Sequence, residues 1–327
     1  MDSRRRLLSS ALIATTFVLG MGKSGEAREL GIPPSLPPGH SLGFPVGTPL
    51  PPGVYATLGS DYITGDVIDD DGNEIDQSVE DLVFFARVGW VPGFELFGGQ
   101  YSFGFEVPYI NREIDRGPGF PNPFQAGTVN DRSAFGRITV QPIRLSWDLG
   151  GGRFVSSGLG VKIPHADFDV TDSVQISGDF WTIIPDIAFT WMTPSWETTL
   201  HANYMYNTEN STTDYKSGSE LSVNFTALRK LENNWAVGPL AYYQAQISGD
   251  ENNGTSYNVP FTNIPQEFDK YKNYGVGIGV RKQIGPMLIN FNVTQSLYAR
   301  NEVENTLFGL RLTLPLGGPP PGGPPPN

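Results

Sequence analysis

The sequence predicts an all-β fold, a transmembrane antiparallel up-and-down β-barrel of about twelve strands. Two observations predict it: amphipathic extended segments recur from Gly53 to Leu316, and their connections alternate between tight and long. A third is compositional. Hydrophobic residues make up 39% of the 327 and mean hydropathy is −0.23. After the first twenty-odd residues no stretch approaches the roughly 20 apolar residues that a spanning helix needs. Barrels escape such measures, because lipid-facing and lumen-facing side chains alternate and cancel in any window.

From the start, Met1 to Ala27 has a basic opening (Arg4, Arg5, Arg6), an apolar middle from Leu7 to Gly22, and small Gly25 and Ala27 before a cut ahead of Arg28. Residues 1–27 therefore read as an export signal peptide. A twin-arginine cast in Ser3 to Leu8 would mean export of a folded protein, and a barrel must stay unfolded until it reaches the outer membrane. Residues 28–52 are Pro-rich, with Pro33-Pro34, Pro37-Pro38 and Pro51-Pro52, so they are extended and poor at pairing. They read as a periplasmic lead-in or a lumen-threading segment. The barrel is expected over 53–316. The tail 317–327, two Gly-Gly-Pro-Pro-Pro blocks, is expected to be a disordered periplasmic end.

The strand from Leu96 to Tyr109 sets Phe97, Tyr101, Phe103, Phe105, Val107 and Tyr109 on one face, with Gln100, Ser102, Gly104 and Glu106 on the other. Ile183, Ile187 and Phe189 alternate with Asp186, Ala188 and Thr190, and Leu200, Ala202, Tyr204 and Tyr206 with Glu197, Thr199, His201 and Asn203. The same division recurs at 220–225, 237–247, 274–281, 289–294 and 308–314. Strand 134–148 breaks parity beyond Pro142, which calls for a bulge at Gln141-Pro142, since proline cannot donate to a ladder.

Short connections are expected at Val91-Pro92-Gly93, 149–152, Thr193-Pro194-Ser195, Glu232-Asn233-Asn234 and Gly285-Pro286. Long polar ones are expected at 65–78, 113–131, 165–178, 208–217 and 249–270. Tight turns belong to the periplasmic side, which also receives both termini for an even strand number. Trp90, Trp147, Trp191, Trp196 and Trp235 all flank short turns and read as a headgroup-level girdle on that side.

No cysteine is present, which excludes disulfides and thiolate metal sites. A net charge of −12 argues against a nucleic-acid partner. Asp69-Asp70-Asp71-Gly72-Asn73-Glu74 has a calcium-loop flavour without the EF-hand spacing, and reads as a solvated acidic loop that could also hold divalent cations bridging lipopolysaccharide. No cofactor is expected.

Several motifs resemble a known family. They are Tyr206-Asn207-Thr208-Glu209-Asn210 with Thr213 to Gly218 and Glu220, Leu50 to Tyr55, Ile138 to Pro142, and Gly158 to Pro164 followed by Asp167 and Asp169. Together they are similar to the outer-membrane proteins of the "meta-pathway of phenol degradation" family, described as transporters. The resemblance implies a barrel in the outer membrane and uptake of hydrophobic or aromatic compounds. Its implied partners are outer-membrane lipid, lipopolysaccharide, the barrel assembly machinery and small solutes.

By parity the lumen collects Arg87, Glu106, Arg144, Lys162, Asp186, Glu197, His201, Glu220, Arg281 and Arg311, the candidate pore-lining residues. Such mixed charge serves a polar pore, and equally serves the internal salt-bridge network of a closed structural or adhesive barrel. Both readings stand at this point. His201 could act as a general base in a hydrolase, yet it faces inward and no serine partner can be assigned from sequence.

Overall fold

The computed structural model describes residues 28–29, 31–120, 124–164, 168–169, 171–252 and 270–317. The expected signal peptide, most of the Pro-Gly tail and Asp167 lie outside them. Twelve antiparallel strands close a barrel. They are β1 Gly53–Ile68, β2 Glu74–Val91, β3 Gly99–Arg116, β4 in two pieces (Thr128–Phe135 and Thr139–Asp148), β5 Arg153–Lys162 and β6 Thr182–Met192. The rest are β7 Trp196–Asn207, β8 Glu220–Lys230, β9 Trp235–Gln246, β10 Lys272–Ile284, β11 Met287–Arg300 and β12 Glu302–Gly317. Each pairs with its sequence neighbours, and β1 pairs with β12 from Val54↔Gly317 to Ile68↔Glu302. Closure leaves no edge across the hydrocarbon, where an unpaired backbone group would cost several kcal/mol.

Two solvents explain the alternation. On β6, Ile187, Phe189 and Trp191 are 57%, 41% and 49% exposed, whereas Asp186, Ala188 and Thr190 are at most 6% exposed. Ile187 lies midway between Trp181 and Trp191, both outward and exposed, hence near the bilayer midplane. Ile187→Arg should cost about 2–4 kcal/mol. The expected result is lost heat-modifiable gel migration; wild-type migration would place Ile187 away from lipid.

The anticipated bulge is present. The register shifts between Val140 and Ile143 on β4 and between Ser102 and Gly104 on β3, and the Tyr101 hydroxyl donates to the Pro142 carbonyl at 2.7 Å. Other boundaries differ from expectation. Phe97 is not a strand residue: Phe97 and Gly98 form a turn with φ of 52° and 71°, joining Glu95–Leu96 to Gly99-Gln100. The connection expected over 65–78 shrinks to 69–73, and β3 runs on to Arg116 against Thr128. Backbone pairing continues above the membrane, where both faces are wet and the apolar alternation disappears. A sixth outer connection is only Asn301, at φ 48°.

The wall formed by β1 to β4 with β11 and β12 thus stands taller than the rest. Over its inner face folds the segment 171–180. Val174 packs on Val67, Val79 and Ile114, and Arg112, Arg116 and Arg132 donate to the carbonyls of Gln175, Ser173 and Val174. This seats the segment on the inner face of that wall at its outer end.

Candidate functional site: a strap in the lumen and the charges around it

Residues 31–50 run inside the barrel, down from the end bearing the long connections. Having few backbone donors of its own to pair, this proline-rich strap takes its partners from inward side chains. In descending order, the Leu36 carbonyl accepts from Gln244, His40 meets Asn224, Ser41 meets His201, the Leu42 carbonyl accepts from Asn290, and Gly43 N donates to Thr226. Lower still, the Val46 carbonyl accepts from Ser156 and Gly47 N donates to Thr190. Leu42 packs on Leu228, Ala236, Leu240 and Tyr242. Gly43 and Gly47 lie so close to the wall that a Cβ would strike the Asn290 amide and the Thr190 backbone respectively. All these partners belong to β5 through β11.

The upper end of the strap is clasped. Glu29 accepts from Thr213 Oγ1 at 2.5 Å and Asn210 Nδ2 at 2.7 Å. Ser35 Oγ donates to Glu220 at 2.6 Å, and Glu220 also accepts from Asn207 at 3.1 Å and from the Tyr271 hydroxyl at 2.6 Å. Arg28 pairs with Glu302 at 2.8 Å and covers the Tyr271 ring. The polar block from Tyr206 to Glu220 is therefore largely a grip on the strap.

Burial pushes the Glu29 carboxyl up to about 7, against hydrogen bonds from Thr213 and Asn210 that pull it down; Asp250 and Asp179 push it further up. Released, it ionises near 4.5; docked, it keeps its proton to about 7. The docked form is thus fully favoured below the released value, and that preference is lost as pH rises through the docked one. From about pH 5 to about pH 8, amide exchange at residues 31–36 should speed up relative to Glu29→Gln measured at the same pH. A constant ratio would refute the linkage.

The ten sequence-predicted residues divide into groups. Asp186 binds Arg144 at 2.6 Å and lies 3.3 Å from His201 Nε2, whose Nδ1 meets Ser41 Oγ at 2.8 Å. Glu197 holds Arg281 through two bonds of 2.5 and 2.6 Å. Arg311 pairs with Asp61 at 2.8 Å, and Arg87 with Glu106 at 2.8 Å. Glu220 belongs to the clasp. Lys162 has no hydrogen bond or ion pair among the described residues. Asp61 and Ser41 were missed by sequence reasoning. Asp61 sits on the inward parity of β1 and could have been found; Ser41 lies in a segment with no periodicity to read.

The acidic loop is tied to itself and its neighbour: Asp69 accepts from the backbone N–H groups of Asp71 and Asn73, and Asp70 pairs with Arg300 at 2.6 Å. Among the described residues, no cluster of His, Asp and Glu is arranged to hold a metal.

A closed barrel with an apolar exterior, a charged interior and an internal strap has the architecture of an outer-membrane β-barrel protein. The chain belongs to the family described as "Putative MetA-pathway of phenol degradation", whose model matches residues 61–312. No curated protein matches it in sequence. Among solved structures it is similar to a COG4313 outer membrane channel from Pseudomonas putida F1, at 12% identity and TM-score 0.67, covering 82% of this chain and 97% of that one. Another similar structure is the toluene transporter TbuX of Ralstonia pickettii, at 10% identity and TM-score 0.39, covering 82% and 90%.

Proposed function

We propose that this protein is a channel of the bacterial outer membrane for passive uptake of small hydrophobic or aromatic compounds. It reaches that membrane through an export signal in residues 1–27 and is assembled there by the barrel assembly machinery. One observation carries the reading. The hydrogen-bond partners of Leu36 to Gly47 lie on β5 through β11, and on the remaining wall the Arg87 side chain, although inward, is 56% exposed. An inward group with that exposure borders open lumen, so a path lies between the strap and the β1 to β5 wall. Arg87, Glu106 and Lys162 line this path, while Glu197, His201, Glu220 and Arg281 anchor the strap side.

Liposome swelling with a panel of phenols, alkanes and sugars tests this. Faster swelling with phenols than with sugars supports it. No swelling with any solute supports the second reading, a structural or adhesive barrel with a closed lumen, which the packing of Val174 on Val67, Val79 and Ile114 favours.

The series Ser41, His201, Asp186 has the residue types of a hydrolytic triad, but we read it as an anchor. Asp186 Oδ1 is taken by Arg144 at the shorter distance, and the serine rides on the strap. Ser41→Ala should leave hydrolysis of p-nitrophenyl butyrate at the buffer rate, the same as wild type. Wild-type hydrolysis that disappears in the variant would make the protein an enzyme.

A further inference from the structure

The open wall has a pattern of its own. Thr57, Arg87, Glu106, Thr139 and Lys162 form one inward row across five adjacent strands, each the register partner of the next. One inward step toward the outer mouth lie Phe85 and Pro108, again partners, and above Pro108 comes Ile110. Phe85, Pro108 and Ile110 are only half-buried, so an apolar ledge faces the same water as the charged row. Phe85 lies across Gly59, where a Cβ would strike its ring.

Charges on the row do not cancel. Glu106 is neutralised by Arg87 through bonds of 3.0 and 2.8 Å. The other carboxylate that acts on Lys162 among the described residues is Glu220, already held by Ser35, Asn207 and Tyr271. Arg137, also near Lys162, stacks on Phe180 and donates to Thr182, adding positive charge with no carboxylate bound to it among the described residues. Among the described residues Lys162 is thus an ammonium without a hydrogen-bonded or ion-paired partner, set in a half-buried position where its field is screened less than on a surface. In a protein of net charge −12, the passage wall is locally positive.

Resting on the channel reading, we propose that this ledge and row form a binding site for aromatic carboxylates, with Lys162 taking the carboxylate and Phe85, Pro108 and Ile110 the ring. Strands stand about 4.8 Å apart, so Lys162 and Arg87 are roughly 14 Å apart at their Cα atoms. The apolar ledge is what favours an aromatic acid over a bare inorganic anion.

The test is calorimetric titration of the full detergent-solubilised protein with benzoate and with its neutral counterpart benzyl alcohol. Benzoate should bind about tenfold more tightly, the scale of one hydrogen bond to a charged group. Lys162→Gln should remove the difference and Lys162→Arg should keep it. Equal binding of the two ligands by the wild type, or a difference that persists in Lys162→Gln, would overturn the site. Swelling separates the two claims: phenols that permeate while benzoate binds no better than benzyl alcohol sink the site and leave the channel. Benzoate bound through Lys162 without any permeation does the reverse.

Discussion

A barrel lacking residues 31–47 should conduct several-fold more current in planar bilayers than the intact chain. The strap occupies one side of the lumen from Ser35, at the outer clasp, to Gly47, beside Thr190. Its removal costs the barrel few groups that cannot be satisfied otherwise: Gln244, Asn224, Thr226 and Asn290 would then face lumen water. The strand ladder closes through β1 and β12 without the strap. The main loss is apolar contact, with Leu228 and Leu240 uncovered where Leu42 had packed. Gly43→Val is the milder version, since the added side chain collides with Asn290 and lifts the strap locally. Conductance unchanged by the deletion would mean that the limiting constriction lies elsewhere, at the segment that carries Val174.

The second large effect concerns stability. Glu197→Ala should destabilise the barrel by about 3–5 kcal/mol, because it strands a buried guanidinium. Glu197 and Arg281 side chains are 4% and 10% exposed, and among the described residues Arg281 would retain only the Gly43 carbonyl at 3.3 Å. Replacing both, as Glu197→Ala with Arg281→Leu, should recover much of the loss. Glu106→Ala provides the contrast: its partner Arg87 is 56% exposed, and such pairs are worth about 0–1 kcal/mol. Urea midpoints of the folded, heat-modifiable form measure all three. A Glu197→Ala midpoint close to that of Glu106→Ala would show that water reaches Arg281.

Much of the wall is legible in the amino-acid sequence. The facing of Ile187 and Asp186, of Leu200 and His201, and of Phe291 and Asn292 follows from alternation alone, and so does the bulge at Pro142. Where strands rise above the membrane the signal stops. Asp66 and Glu304 are strand partners, yet both look like loop residues because water lies on either side of them. Phe97 failed for another reason: its alternation with Tyr101 was intact, and only the local backbone turn at Gly98 removed it from the strand.

Of the candidate site, parity identified inward charges but not their partners. Ser41 and His201 are 160 residues apart, Glu197 and Arg281 are 84, and Asp61 and Arg311 are 250. No local pattern encodes such pairings; they exist because closure sets the first strand beside the last and the curved wall and the strap bring inward side chains of distant strands together.

The amino-acid sequence by itself determined a two-faced barrel of about twelve strands with its tight turns and tryptophans at one end, since hydrocarbon and water impose period-two order on every strand that meets both. Only the tertiary structure decided that the proline-rich segment lies within the lumen, that the block from Tyr206 to Glu220 clasps it, and that Lys162 alone among the ten inward residues lacks a partner among the described residues. Those outcomes depend on which side chains meet across an enclosed space, and that is set by the closed ladder as a whole.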